Sequence, residues 1–120
     1  MPGLNITEKD IPNLEKGRLL CLEGSIDAYN SELLSQKLCD LFKKNICRFV
    51  VDCSNLKFIS SSGMGVFLSI EDDLISSSGG LKFIKVPETI LNVFQKVGLT
   101  DIFRICPELA SALEDFRQGL

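Results

Sequence analysis

Three consecutive hydroxyls, Ser60-Ser61-Ser62, follow the apolar pair Phe58-Ile59 and precede Gly63-Met64-Gly65. Serine at a helix start has a plain use, because its side-chain oxygen accepts a hydrogen bond from a first-turn N–H that otherwise lacks a partner. One serine suffices for that. Three exceed the need, and Gly63 and Gly65 carry no Cβ to keep a charged group away from the backbone. Free N–H donors at the positive end of a helix stabilise an anion, and a phosphoserine there carries about −1.5 to −2 charges at pH 7. The residues alone leave two readings open, a helix cap and a site of phosphate chemistry.

Other chemistries fit these residues less well. Gly63-Met64-Gly65 begins the dinucleotide fingerprint G-x-G-x-x-G, but Leu68 stands at the third glycine, and no Gly-Lys-Ser/Thr of a P-loop follows. A nucleophile elbow needs glycine two residues before its serine, where Ile59 or Ser60 stands. The chain contains no histidine, which excludes mixed Cys/His zinc sites and the usual base of serine hydrolysis. Asp27 and Asp52, expected near strand ends, could hold Mg²⁺ or act as acid and base, although solvated turn carboxylates are the plainer reading. Glu71-Asp72-Asp73 is expected to be an exposed helix face, since adjacent helical positions point apart. Five cysteines with no C-x-x-C spacing read as reduced, mostly buried thiols. No catalytic residue, metal or cofactor is expected, and the chain does not read as an enzyme.

The elements that must carry the serine turn follow from periodicity. Arg18–Glu23 and Arg48–Asp52 are apolar runs of strand type. Between them Leu34, Leu38, Leu41 and Phe42 recur at helical spacing from Ser31 to Lys44, with Asn30 or Ser31 as N-cap. A second helix begins within the serines, buries Phe67, Ile70, Leu74 and Ile75, and stops at Gly79-Gly80 in the left-handed conformation that glycine readily adopts. Leu81–Val86 alternates like a strand. Pro87 fits the first position of a helix carrying Ile90, Leu91, Phe94 and Val97, with Gly98 as its stop. Ile102–Ile105 is a short strand, and Pro107 opens a last helix with Leu109, Ala112, Leu113 and Phe116 inward. Asn5–Ile11 reads as an edge strand antiparallel to the Arg18 strand. The order β-β-α-β-α-β-α-β-α predicts an α/β fold with a mixed, mostly parallel sheet of four to five strands and helices packed against it. Such sheets bind partners beyond the carboxyl ends of their strands, which puts Gly24–Tyr29, Cys53–Ser62 and Pro87–Thr89 on one edge.

Length and charge set the outer limits. The 120 residues make a single domain spanning residues 1–120, and the 45% apolar, 24% charged composition is that of a globular chain. A net charge of −3 argues against nucleic acid and anionic membranes as partners. No apolar run nears the roughly 18 residues of a membrane span, and the first ten residues lack signal-peptide character, so a cytoplasmic location is expected.

Five pieces of this order resemble the STAS domain family, and within it the stand-alone anti-sigma factor antagonists. Leu22–Asp27 is similar to the family's G-x-[LI]-D, and Phe49–Ser54 to its hydrophobic-D-x-S. Phe58–Val66 is similar to F-[IM]-D-S-S-G-[LM]-G, and Gly79–Phe83 with Val97–Phe103 complete the series. The resemblance covers about residues 18–116 and implies a switch: the unphosphorylated domain binds an anti-sigma factor that is also a serine kinase, and so frees a sigma factor. Phosphorylation of the first serine in D-S-S-G ends that binding, and a serine phosphatase restores it. Carried over by position, the acceptor is Ser61. The partner-binding residues are Asp27, Ser54, Asn55, Ser60, Ser62 and Gly63, with Ser62 as a cap or support. Position 60 departs from the pattern, since Ser60 replaces the family's aspartate and carries neither its charge nor its acceptor-only character. Two other readings remain, a non-switching STAS adaptor of a signalling or transporter-associated complex, and a nucleotide-binding STAS domain using the Gly63-Met64-Gly65 turn.

Overall fold

A computed structural model of the chain describes residues 3–120. The elements run β1 (Leu4–Asp10), β2 (Gly17–Ile26), α1 (Ser31–Lys43), β3 (Arg48–Ile59), α2 (Ser61–Ser76), β4 (Gly80–Ile84) and α3 (Glu88–Lys96). A 3₁₀ turn (Leu99–Asp101), β5 (Arg104–Cys106) and α4 (Leu109–Arg117) complete the chain. The predicted element order holds, and β1 is the expected antiparallel edge.

The strands lie in sequence order in one five-stranded sheet, with β1–β2 antiparallel and β2–β3, β3–β4 and β4–β5 parallel. Period-2 alternation divides β3 between two cores. Phe49, Val51 and Cys53 join Leu20 and Leu22 of β2, Leu81 and Phe83 of β4, and the apolar faces of α1, α2 and α3. Val50 joins Ile84 and Cys106 under α4, whose Leu109, Ala112, Leu113 and Phe116 face them. With helices on both faces, all five residues of β4 are buried, as expected of a central parallel strand. The alternation read for this segment therefore separates two cores rather than core from solvent.

Several expectations need correction. The strand read as Arg48–Asp52 continues to Ile59, so Asp52 lies within it. Against β2 the register steps from Cys21↔Asp52 to Glu23↔Asn55, and from Gly24↔Leu56 to Ser25↔Phe58. Two extra residues therefore bulge from β3, and a bulge leaves an N–H out of the ladder. Asp52 answers this at the first bulge, where its Oδ1 accepts from the Ser54 N–H at 2.9 Å. At the end of α2 the left-handed residue is Ser78 (φ 62°) rather than a glycine. Gly79 serves packing instead, because a Cβ there would lie 1.9 Å from the Cys47 carbonyl oxygen. Ile75 and Val97 are exposed. Pro87 occupies the N-cap of α3, not its first turn, whereas Gly98 is left-handed as expected of a stop. α4 starts two residues after Pro107, with Glu108 and Ser111 forming a capping box. Cys47, Cys53 and Cys106 are buried, Cys21 half-buried and Cys39 exposed, and all five are free thiols. No helix among the described residues is long and apolar enough to cross a membrane.

Candidate functional site

The carboxyl ends of β2 and β3 are tied together by the Ser60 N–H, which donates to the Ile26 carbonyl at 2.8 Å. This bond fixes where α2 begins. Ser60 stands at its N-cap in extended conformation (φ −80°, ψ 167°), and its Oγ accepts from the Gly63 N–H at 3.1 Å. The Ser60 carbonyl accepts the Met64 N–H at 3.0 Å, opening the regular helix. The cap is thus the first serine, not Ser62. Ser62 supports it, since the Ser60 and Ser62 hydroxyls share a hydrogen bond of 2.8 Å. Serine and aspartate are both N-cap types, so Ser60 keeps the geometry an acid would give this position while removing a negative charge.

Ser61, between them, is exposed, and its hydroxyl has no hydrogen-bond partner among the described residues. The Gly63 and Met64 N–H groups are taken by Ser60, while those of Ser61 and Ser62, at the first two helical positions, lie ahead of any intrahelical acceptor. An anion at Ser61 would find both donors and the positive end of a 16-residue helix.

The two glycines of the turn do different work. A Cβ on Gly63 would lie 2.6 Å from Ile26 Cγ2 and 3.0 Å from Ile59 Cγ1, so this buried glycine lets α2 seat against the strand ends. It faces inward, not toward an approaching ligand. Gly65, four residues after Ser61 and on the same helical face, is exposed with nothing within 4 Å of its Cβ position. The approach to Ser61 is open there, and Leu68, 39% exposed, continues the face one turn further on.

Asp27 shapes the neighbouring loop. Its Oδ1 accepts from the Tyr29 and Asn30 N–H groups, both at 2.9 Å. Asn30, at the N-cap of α1, directs its side chain backward: Oδ1 accepts from the Asp27 N–H at 2.8 Å and Nδ2 donates to the Ser25 carbonyl at 2.8 Å. Its side chain therefore closes the loop rather than capping the helix. This closed loop presents Tyr29, 91% exposed, at the same edge as the serines. Phe58, 53% exposed and paired in register with Ser25, adds a second aromatic ring there.

Ser54 and Asn55 are both exposed but stand apart from this edge. They line a cleft of about 290 Å³ with Thr7, Lys9, Cys21, Glu23 and Asp52, some 15–20 Å of strand before Ser60. Asp27 and Ser60–Gly63 are brought together; Ser54 and Asn55 face a different surface. No cluster of acidic, cysteine or histidine ligands suited to a metal occurs among the described residues.

Sequence reasoning missed Glu71. It was expected on an exposed acidic face, yet its side chain is buried at 7% exposure beside Lys82, itself 3% exposed. Burial pushes the Glu71 carboxyl up to about 7, against the opposing pull of the Lys82 charge and the Leu81 N–H. Burial likewise lowers the Lys82 ammonium. The available signal was the helical period, since Glu71 follows Phe67 by four residues and precedes Leu74 by three.

Comparison with known proteins gives a consistent set. A family model described as the STAS domain matches residues 8–112. BtrV of Bordetella bronchiseptica, provisionally named an anti-sigma factor antagonist, is 28% identical over 102 residues, covering 85% of this chain and 88% of its own. The anti-sigma-B factor antagonist of Bacillus subtilis is 26% identical over 96 residues, 80% of this chain and 87% of its own. Among solved structures, the anti-sigma factor antagonist SpoIIAA in its unphosphorylated form superposes with a TM-score of 0.79 at 19% identity, covering 97% of this chain and 98% of its own. The phosphorylated form of SpoIIAA from Bacillus gives 0.68 at 21% identity, over 92% and 97% of the two chains.

Proposed function

Because this chain belongs to the STAS domain family, we propose that it is an anti-sigma factor antagonist whose binding is switched by phosphorylation of Ser61. The names of the two relatives support the first half of this reading. The second half is carried by one observation: of three adjacent hydroxyls, Ser60 and Ser62 are engaged with each other, and Ser61, exposed like Ser62, is the one without a hydrogen-bond partner among the described residues. A kinase can take the Ser61 hydroxyl without breaking the helix cap.

The switch is electrostatic. About two negative charges at the centre of a contact surface must shed water on association, and the cost opposes binding unless the partner supplies matching cations. Within the free domain the phosphate would meet the Ser61 and Ser62 N–H groups at the helix N-terminus, so no refolding is needed. The partner is an anti-sigma factor with serine kinase activity; ATP is consumed by that partner, and a serine phosphatase reverses the change. Asp27, Ser60, Ser62 and Gly63 shape the partner-facing edge, and Ser54 and Asn55 contribute only to a partner large enough to reach the adjoining cleft. Sigma factor control places the chain in the cytoplasm.

Incubation with its anti-sigma kinase and ATP, followed by phosphate mapping by mass spectrometry, tests the assignment. Label on Ser61, lost in Ser61→Ala, is expected; label confined to residues outside 60–62 would refute it.

Ser60 in place of the family's acid favours one alternative, an adaptor that binds without switching. In that case Ser61→Asp and the unmodified chain would bind the partner equally.

A further inference from the structure

The edge of the sheet opposite the serine turn, about 35 Å away along β3, gathers cations. Here β2, β3 and β4 begin, and each is entered through a non-glycine residue in left-handed conformation: Lys16 (φ 58°), Asn45 (φ 70°) and Ser78 (φ 62°). These links are tied side by side. The Lys16 carbonyl accepts from the Cys47 and Arg48 N–H groups, both at 3.0 Å, and the Cys47 carbonyl accepts from the Gly80 N–H at 2.9 Å. Between them lies a cavity of about 360 Å³ lined by Lys16, Phe42, Asn45, Cys47 and Ser77. Lys43 and Lys44, both exposed, close α1 immediately before Asn45, and Arg48 opens β3 beside Lys16.

None of these four cations has a side-chain carboxylate within 4.0 Å among the described residues. Arg48 Nη1 donates instead to the Glu15 carbonyl at 2.8 Å. Opposing them are the Glu15 side chain and the carboxyl ends of α1 and α2, whose dipoles bring about half a negative charge each. Four positive charges against about two negative leave this edge positive on a chain whose total is −3. The balance stays positive with Asp40 counted, one turn earlier in α1, where it accepts from Gln36 at 2.9 Å. Lysine at position 16 is also strained, since a left-handed backbone suits glycine and not a residue with a Cβ. A cation set where glycine would fit better points to use of the charge.

We propose that this edge docks an acidic segment of a partner protein, its carboxylates paired with Lys16, Lys43 and Lys44 across the mouth of the cavity. The donors are ammonium groups spread along a rim, not N–H groups converging on a point. Helix carboxyl ends present carbonyl oxygens, which repel a compact multivalent anion brought into the cavity. Carboxylates spaced along a peptide reach the ammonium groups singly and stay clear of those carbonyls. A long nucleic acid would continue over a surface where 16 acids outnumber the other nine cations. The proposal stands apart from the Ser61 reading, and either can fail alone.

The test is a titration of the ¹⁵N-labelled full chain with hexaglutamate, hexalysine, pyrophosphate and oligothymidylate, followed by amide shifts. Hexaglutamate is expected to move residues 14–17, 42–48 and 76–80 and to bind about tenfold more tightly than the other three. Its affinity should fall several-fold between about 50 and about 200 mM salt. Lys16→Gly should weaken it about fivefold while unfolding at no lower temperature, so that the loss cannot come from a damaged fold. Lys43→Gln with Lys44→Gln, on the exposed end of α1, should weaken it about tenfold. Ser61→Asp should leave it unchanged, because a Debye length of about 10 Å screens a charge so far away. Shifts elsewhere or none with hexaglutamate, equal binding by any of the other three, indifference to salt, or affinity unchanged in Lys16→Gly or in the double variant would overturn the proposal.

Discussion

The three serines differ by one atom's surroundings each, and those surroundings separate the helix cap from the hydroxyl proposed to switch. Ser60→Ala removes the oxygen that accepts the Gly63 N–H and should cost about 1 kcal/mol in urea unfolding. Ser61→Ala removes a hydroxyl with no partner and should change stability by less than about 0.5 kcal/mol. Ser61 is proposed as the acceptor from the likeness of this turn to the family's D-S-S-G, and that a helix starts within Ser-Ser-Ser-Gly was legible in the sequence. The identity of the cap was not, because any of the three types could cap and only the Ser60 N–H bond to Ile26 selects the first. Glu71 gives a second test at this scale. Its folded-state carboxyl, raised to about 7 by burial, keeps a proton that the unfolded chain releases near 4.5. Between those values the folded state binds more protons, so stability is fullest below about 4.5 and falls as pH rises toward 7, by up to about 3 kcal/mol. Glu71→Gln should flatten that slope in a series of denaturant curves.

Helix boundaries and strand lengths were the less legible part of the sequence, for identifiable reasons. Beyond Asp52 the buried residues of β3 are Cys53, Leu56 and Ile59, three apart, because two bulges interrupt the alternation. A reading by period 2 necessarily stops where the first bulge begins. At the end of α2, Ser76-Ser77-Ser78-Gly79-Gly80 marks a stop correctly, yet the roles are displaced by one residue: Ser78 is left-handed and Gly79 is confined by Cys47. Ser78→Gly should therefore stabilise the chain by about 1 kcal/mol in thermal unfolding, since a left-handed backbone strains any residue with a Cβ. Gly79→Ala should destabilise it by more than about 2 kcal/mol, as the methyl must displace the Cys47 carbonyl.

At the scale of the whole molecule, an order of strands and helices that alternates after one hairpin made the class of fold readable. The side of the sheet each helix takes was not readable, and it decides where surfaces lie. α1, α2 and α3 crowd one face around Phe83, whose ring meets Phe67, Phe94 and Phe103 at centroid distances of 5.0, 5.1 and 5.3 Å. α4 alone covers the other face, leaving the cleft beside Ser54 and Asn55 open. With the frame held this way, the serine turn sits on a corner made by β2, β3 and α2, and under the proposed switch a phosphate there would change charge without changing shape. The formal charge moves from −3 to about −5. The most direct measurement is calorimetric titration of the anti-sigma kinase with the unmodified chain and with the chain carrying phosphoserine at position 61. Tight binding by the unmodified chain and a loss of about 100-fold or more on phosphorylation are expected; equal affinity of the two forms would contradict a charge switch at Ser61.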